Sequence, residues 1–422
     1  MLSYTRRRLQ TMKGNIFFTS EGLTTERLLW LDELVKFYST KVHPESLHLK
    51  PRIRTPPFTF FLLGDACYGF IDRQHRYYWE NMFKSPSFRC VFDSHELHLR
   101  GIQVEPLKVR FPDQIVTSKM GDRPDKPVWD LLIDALRDRS RSTAIGFLLL
   151  QSPYTYQSCS NVLDLLRTAV ARGISPEIYG YLDGVHAMHS GQAPMNHANI
   201  GESLTEINKI SLKKGLSPKN LICSQSATSR GYSTFIGEDG KIISNCLIPP
   251  GRITNLDQIV FRFCKNHHIF SHSSFSITFP HKKIIPKLNS SSFRDPPPLV
   301  ILPTRSPYGT EFSMGAITLA AACAHRGIFT RVIFIEDGVH ALSGQHVQEG
   351  EYPRFDIQAV IQSTSNLENL EYYCYSPSLS TRGLSIHPGL TRVHKIGTSE
   401  FAQILLQPPG HIESGHQRVL LF

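Results

Sequence analysis

The chain has 422 residues, 41% of them hydrophobic and 19% charged, and a formal net charge of +10 at pH 7. This composition is typical of a globular protein that buries real cores, and the length indicates about three domains of ~150 residues each. No apolar run approaches the ~20 residues that a bilayer-spanning helix needs, and no hydrophobic stretch follows the N-terminal arginines, so we expect neither a membrane anchor nor a secretory signal.

The first recognisable features lie between residues 60 and 102. An apolar run at 60–63 leads through Gly64 into Asp65-Ala66, and Cys90 leads through a polar segment into Arg100-Gly101. Both features return later in the chain in clearer form. We interpret this region as a diverged copy of a repeated unit.

The middle of the chain predicts a strand, a helix and a second strand. Residues 143–150 form a continuous apolar run suited to a buried parallel strand, and residues 178–182 form the next one. Between them an apolar stripe with helical spacing ends at Gly173; it comprises Val162, Leu165, Leu166 and Ala169. This order predicts a right-handed βαβ unit and hence a parallel sheet flanked by helices.

The strongest signal is a motif that occurs twice. Residues 181–187 (YLDGVHA), followed by Ser-Gly-Gln at 190–192, return as residues 335–341 (IEDGVHA), followed by Ser-Gly-Gln at 343–345. In each case a cysteine then leads through small and polar residues into Arg-Gly. These are Cys223 with Arg230-Gly231 and Cys374 with Arg382-Gly383. A repeated segment of this kind marks a duplicated structural unit.

We therefore predict an α/β protein of three tandem small domains, each a mostly parallel open sheet with helices on both faces. The expected boundaries are 12–125 for the first copy, 143–270 for the middle copy and 298–422 for the last copy. Residues 271–297, rich in Ser, Lys and Pro, are predicted to form a linker. Residues 258–263 and 401–406 are predicted to be closing strands.

The eight cysteines include no Cys-x-x-Cys pair and no spacing that suits zinc, so we expect reduced thiols and no metal. Cys223 and Cys374 each follow a short predicted strand, and ligands gather at the carboxyl ends of parallel strands. Turn amides and the guanidinium of Arg230 or Arg382 would stabilise a thiolate there, as a persulfide carrier requires. The alternative is that each cysteine is a small buried hydrophobe.

The Asp-Gly pairs have two interpretations. Asp183 and Asp337 belong to tight turns in which glycine supplies a left-handed conformation and Asp bonds the local backbone, or they are catalytic acids. His186 and His340 are either surface histidines or proton donors beside the thiols.

The order of Ser-Pro-Tyr, helix, strand into Asp-Gly-Val, Gly-Gln loop, cysteine and Arg-Gly resembles the DsrE-like sulfur-relay family. This family includes the Tus B, C and D subunits of tRNA 2-thiouridine synthesis and the Dsr E, F and H proteins of sulfur oxidation. The resemblance covers nearly the whole chain outside the linkers. The first copy is similar to Tus B/Dsr H, the middle copy to Tus D/Dsr E and the last copy to Tus C/Dsr F.

The resemblance implies a cytoplasmic sulfurtransferase that needs no cofactor. Cys223 would carry a persulfide between a small donor protein and an acceptor protein. Cys374, one residue farther from its Arg-Gly, would be a second candidate thiol, with Arg230, Arg382, Asp183 and Asp337 supporting them. The fused chain would form a homodimer of six domains, with no membrane contact and no direct nucleic-acid contact.

Two other functions stay open from the sequence. The chain could serve as a non-catalytic binding scaffold whose cysteines only pack. Its basic residues could also bind RNA directly, although they are scattered rather than gathered in one stripe.

Overall fold

The structure is a computed structural model of the chain. It describes residues 15–41, 58–118, 127–136, 144–155, 158–233, 235–237, 242–249, 251–265, 268–278, 296–344, 346, 356–407 and 416–422. The chain divides into two compact units. The first unit is Met1–Ile259 with His267–Phe275, and the second unit is Val260–Asn266 with Ser276–Phe422.

The first copy contains four parallel strands in the order β1-β2-β3-β4. Its elements are β1 (Ile16–Thr19), α1 (Thr25–Lys41), β2 (Phe58–Leu62), α2 (Ala66–Ile71), α3 (Arg76–Phe83), β3 (Phe88–Phe92), α4 (Ser94–Leu99), α5 (Glu105–Arg110) and β4 (Ile115–Thr117). The three longer strands are aromatic-rich, and their burial on both faces is typical of a parallel sheet.

The middle copy is a five-stranded parallel sheet in the order β11-β5-β6-β7-β10. Its elements are α6 (Pro127–Leu136), β5 (Ala144–Leu149), α7 (Ser158–Ala171), β6 (Ser175–Gly180), α8 (Ile200–Lys213), β7 (Lys219–Cys223), α9 (Ser224–Ser229), β8 (Phe235–Ile236), β9 (Ile242–Ile243), β10 (Arg252–Thr254), α10 (Leu256–Phe263) and β11 (His268–Phe270). Alternate residues Ile145, Phe147 and Leu149 of β5 belong to the same hydrophobic cluster as the apolar stripes of α7 and α8.

The last copy repeats this arrangement with the parallel order β17-β13-β14-β15-β16. The remaining elements are β12 (Ser273–Thr278), β13 (Leu299–Leu302), α11 (Phe312–His325), β14 (Thr330–Phe334), α12 (Ile357–Thr364), β15 (Leu370–Tyr375), α13 (Ser376–Arg382), β16 (Val393–Ile396), α14 (Thr398–Leu406) and β17 (His416–Leu421). The predicted α/β class and its mostly parallel sheets are confirmed.

The predicted closing strands at 258–263 and 401–406 are wrong. Both segments are helices, α10 and α14, because their buried residues recur at helical rather than alternating spacing. In α14 these include Phe401, Ala402 and Leu405, all fully buried. The closing strands are instead β11 and β17, which lie beside the first strand of their sheets.

The segment predicted as a linker, 271–297, begins with a strand. In β12, Ser273 shares a hydrogen bond of 2.6 Å with the hydroxyl of Thr19. Phe275 stacks on Phe17 of β1 with ring centroids 4.5 Å apart. Alternation of Ser with Phe and Ile gives this segment the period of a strand despite its polar composition. Residues 279–295 lie outside the described residues.

The first and middle copies lie together in the first unit and share one hydrophobic cluster. Phe18 of β1 packs near Phe147 of β5, with ring centroids 6.4 Å apart, and near Trp129 of α6, at 6.0 Å. The domain boundaries at 125 and 143 stay a prediction.

Candidate functional site

The pairing of the strands fixes which residues of the copies are equivalent. In the middle copy Gly180 pairs with Ile222, and in the last copy Phe334 pairs with Cys374. Gly180 and Phe334 lie at the same distance before the Asp of their Asp-Gly motif. Ile222 and Cys374 therefore occupy the same position, and Cys223 corresponds to Tyr375.

The positions before the short helices carry three different side chains. Asp93, Cys223 and Tyr375 are the N-cap residues of α4, α9 and α13, each the same number of residues before its Arg-Gly. The Asp93 side chain accepts a hydrogen bond from the amide of His95, at 2.7 Å. The cysteine-to-Arg-Gly pattern thus places only one of its three cysteines at this position.

Cys374 and Cys90 lie inside strands instead. Successive side chains of a strand point to opposite faces, so Cys374 lies on the other face of its sheet from Tyr375. Burial raises the pKa of Cys374 to about 12, and Lys395 opposes this shift. Burial also raises the pKa of Cys90 well above its ordinary value. Cys374 is therefore equivalent to Ile222 and not, as predicted, to Cys223.

Cys223 ends β7, where it pairs with Thr254, and its extended backbone (φ −60°, ψ 124°) begins α9. The first amides of a helix have no intrahelical acceptor, and they favour negative charge. The residue is only 1% exposed. The residue therefore precedes the first amides of α9, but its side chain forms no capping hydrogen bond and is closed to solvent.

The predicted Asp and Arg residues meet each other. Arg230 donates from Nε and Nη2 to Oδ1 of Asp183, at 2.9 and 2.6 Å, and from Nη1 to the carbonyl of Ser226, at 3.2 Å. In the last copy, Arg382 donates from Nε to Oδ1 of Asp337, at 2.8 Å. Each guanidinium thus binds a carboxylate and a carbonyl of the short helix, that of Ser226 in the middle copy and that of Ser378 in the last copy.

The first copy has the same pair, with an addition. Arg100 donates to Asp65 at 3.2 Å and to the buried carboxylate of Glu96 at 2.6 Å. Glu96 stands where Ser226 and Ser378 stand in the other copies. The Asp–Arg pair is therefore a shared feature of the repeated unit, whether or not a thiol is present.

These two serines were not recognised in the sequence. The hydroxyl of Ser226 accepts a hydrogen bond from the amide of Leu182, at 3.0 Å, and Ser378 does the same for Glu336, at 2.9 Å. Leu182 and Glu336 have left-handed backbones, with φ of 52° and 51°. The available signal was a Ser at the same place before each Arg.

The glycine of Asp-Gly serves close packing rather than backbone conformation. A Cβ on Gly184 would lie 2.0 Å from the carbonyl oxygen of Leu149, and one on Gly338 would lie 2.1 Å from that of Pro303. The left-handed residue is the one before Asp. The predicted left-handed glycine is therefore misplaced by two residues.

The two Ser-Gly-Gln segments were predicted to be equivalent, but in the structure a different residue of the last copy makes the contacts of Gln192. Gln192 donates to the carbonyls of His186, Ala187 and His189, and its Oε1 accepts from the Tyr154 hydroxyl at 2.6 Å. In the last copy His346 takes this place, bonding the Tyr308 hydroxyl at 2.6 Å and the carbonyls of His340 and Ser343. Gln345, predicted as the equivalent of Gln192, lies outside the described residues.

His186 is a partly exposed residue of the turn after Asp183. Its Nδ1 forms a short hydrogen bond with the hydroxyl of Tyr232, and its Nε2 lies 3.8 Å from Oδ1 of Asp183. Burial lowers the pKa of His186, and Asp183 opposes that shift. The sequence did not single out Tyr232, although it directly follows Arg230-Gly231.

Among the described residues, no group of three or more His, Cys, Asp or Glu side chains could hold a metal ion. No helix in the described part of the chain is both long enough and apolar enough to cross a membrane.

No protein-family profile and no curated protein matches the chain. Among solved structures, the ychN protein from E. coli aligns with 30% of this chain and with 99% of its own length, at 23% identity and a TM-score of 0.24. A similarity of that strength assigns no function.

Proposed function

We propose that this chain is a DsrE-like sulfur-relay protein in which Cys223 carries a persulfide. The observation that carries the proposal is the position of Cys223, which ends a parallel strand and begins a short helix whose C-cap residue, Arg230, pairs with Asp183. The order of motifs that resembles the DsrE-like family supports the same assignment. Cys223 would take a sulfane sulfur from a small donor protein and pass it to an acceptor protein.

The proposed chemistry requires a thiolate. Unpaired amides at the start of a helix stabilise negative charge, and a thiolate rather than a thiol attacks sulfur. A covalent persulfide divides one difficult transfer into two exchanges. Arg230 would act indirectly, because it bonds both Asp183 and the carbonyl of Ser226 and so holds α9 against the neighbouring turn.

Access to the thiol requires movement, because Cys223 is 1% exposed. The segment that must open is short, since α9 has six residues between Ser224 and Ser229. Opening it breaks the hydrogen bonds that Ser226 forms with Leu182 and Arg230, and local opening of such a segment costs less free energy than global unfolding. The proposal therefore includes spontaneous opening of this segment, which admits the donor persulfide.

The first and last copies would complete the assembly rather than carry sulfur, because Asp93 and Tyr375 occupy the position of Cys223. Cys374, expected to be a second relay thiol, is left out of the proposed route. The larger proposal follows the family resemblance: three fused domains of the Tus B, D and C types, a cytoplasmic homodimer of six domains, and a role in tRNA 2-thiouridine synthesis or sulfur oxidation.

A second candidate function is a non-catalytic scaffold. The observation that favours it is the burial of Cys223, together with the burial of Cys90 and Cys374. In that case the cysteines are packing residues, and reactivity should follow exposure alone. Cys246 and Cys264, the two partly exposed cysteines, would then be the reactive ones.

The deciding experiment loads the protein with sulfur from glutathione persulfide and measures intact mass. The background is the Cys246→Ser/Cys264→Ser variant, which removes the partly exposed thiols. We expect a gain of one sulfur atom that maps to Cys223 and disappears in Cys223→Ser, while Cys374→Ser loads normally. Equal loading with and without Cys223, or no loading in this background, would establish the scaffold instead.

A further inference from the structure

The residue after Arg-Gly distinguishes the middle copy from the other two. Tyr232, Ile102 and Leu384 occupy equivalent positions, since each donates its amide to the carbonyl of the same residue of the preceding short helix: Ala227, Leu97 and Leu379. Only the copy that has a thiol at the N-cap has a hydroxyl here. The difference therefore lies on the same turn-and-helix unit as Cys223.

Tyr232 sits between two imidazoles. Its ring stacks on His189 with centroids 5.0 Å apart and meets His186 edge-on at 5.5 Å. Its hydroxyl contacts Nδ1 of His186. Burial raises the pKa of Tyr232, so its hydroxyl keeps its proton at neutral pH and can donate it to Nδ1.

The other nitrogen of His186 faces an acceptor. Nε2 lies 3.8 Å from the Asp183 carboxylate, so the imidazole proton is favoured on Nε2 while Nδ1 accepts from Tyr232. The other groups that act on this ring are Arg230 and His189, which both lower the pKa of His186. The neutral ring thus presents an N–H group on a side chain that is 35% exposed.

We propose, resting on the function proposed above, that Tyr232 is a positioning residue for sulfur transfer: its hydroxyl fixes the imidazole of His186 with the proton on Nε2, which lies beyond hydrogen-bond distance of Asp183 and can donate to the leaving sulfur of a protonated donor persulfide. The link to Cys223 is the turn from Leu182 to Met188, which carries His186 and is joined to α9 through Ser226 and Arg230. His340, which has Leu384 instead of a tyrosine, lacks this arrangement in the last copy.

The step itself is a simple exchange. The Cys223 thiolate attacks the outer sulfur of the donor persulfide, a new S–S bond forms, and the S–S bond of the donor breaks. The electron pair leaves on the donor thiolate, which accepts a hydrogen bond from Nε2–H and then a proton from water. One persulfide is consumed and one is made, so no external oxidant or reductant is needed.

The test compares sulfur loading of Cys223 as a function of pH in the Cys246→Ser/Cys264→Ser background, which serves as the wild type here, and in the same background with Tyr232→Phe or His186→Gln. Glutathione persulfide is the probe and intact mass is the readout. His340→Gln is the matched control. We expect Tyr232→Phe to load about tenfold more slowly, which corresponds to one hydrogen bond to an anion. Imidazole NMR should show a raised pKa of His186, because the hydroxyl that stabilises the neutral ring is gone.

His186→Gln should slow loading similarly and remove the part of the pH profile that follows the imidazole, and His340→Gln should change neither. If Tyr232→Phe does not fold, the His186→Gln variant alone tests the inference. Loading of the Tyr232→Phe and His186→Gln proteins at the wild-type rate and with the wild-type pH profile would overturn this inference alone. A wild-type chain that takes up no sulfur at Cys223 would overturn the proposed function and this inference together.

Discussion

The middle and last copies share a scaffold but differ at two positions on which the proposed chemistry depends. Both have the Asp–Arg pair, the left-handed residue before Asp and the serine that holds it. The last copy, however, has Tyr375 where the middle copy has Cys223, and Leu384 where it has Tyr232. The parts that fix the backbone are the same in both copies, while the residue before the short helix and the residue after Arg-Gly differ.

The rate at which Cys374 reacts with an alkylating agent tests whether it is a packing residue. If Cys374 is a packing residue, its pKa of about 12 leaves the thiolate about a thousandfold rarer at pH 8 than for a thiol at the ordinary value of 9.0. We expect iodoacetamide to modify Cys374 at least a hundredfold more slowly than the partly exposed Cys246 and Cys264, measured by peptide mass spectrometry with time.

The raised pKa of Cys374 also makes the stability of the folded state depend on pH. A buried thiol with a raised pKa favours the folded state below pH 9, and this contribution is lost as pH rises from about 9 toward about 12. Cys374→Ala should therefore reduce the alkaline sensitivity of unfolding in that window. Rapid labelling of Cys374 in the folded protein at pH 8 would contradict its role as a packing residue and restore its equivalence to Cys223.

The second comparison concerns the shared scaffold. Gly184→Ala and Gly338→Ala should each destabilise the protein by about 3 kcal/mol, because a Cβ would overlap a backbone carbonyl oxygen in both copies. Gly231→Ala is the matched control, since it lies at φ +73° with open space around its Cβ position, and should cost about 1 kcal/mol. Urea unfolding followed by circular dichroism measures the change. Equal costs for the three variants would mean that backbone conformation, not close packing, requires these glycines.

The sequence predicted the scaffold better than the site, for a physical reason. Helices and parallel strands depend on the spacing of many apolar residues, so the α/β class and the βαβ order survive errors at single positions. The site depends on register, where a shift of one residue moves a side chain to the other face of a sheet. Cys374 was matched to Cys223 on an Arg-Gly motif one residue farther away, and only the pairing of Phe334 with Cys374 corrects it.

The partners of the motif residues were also beyond the sequence. Asp183 was expected to bond its local backbone and Arg230 to stabilise sulfur, yet the two bind each other across 47 positions of sequence. Short apolar runs misled in the same way, since residues 401–406 have strand-like composition but bury one helical face as part of α14. Long-range contact decides the partners of Asp183 and Arg230, whereas the helical spacing of Phe401, Ala402 and Leu405 decides α14.

The smallest expected change in the free energy of unfolding comes from removing the carboxylates of the two Asp–Arg pairs. Asp183→Asn and Asp337→Asn should each cost only about 0.5 kcal/mol, because both carboxylates are more than half exposed and surface pairs contribute little. Asp183→Asn should in addition lower the pKa of His186 further, since the Asp183 charge raises it. Imidazole NMR titration measures this shift, and Asp337→Asn, which leaves the middle copy intact, is the control. An unchanged His186 titration in Asp183→Asn would show that the carboxylate does not act on the imidazole, and would leave Asp183 with the purely structural role that Asp337 has in the last copy.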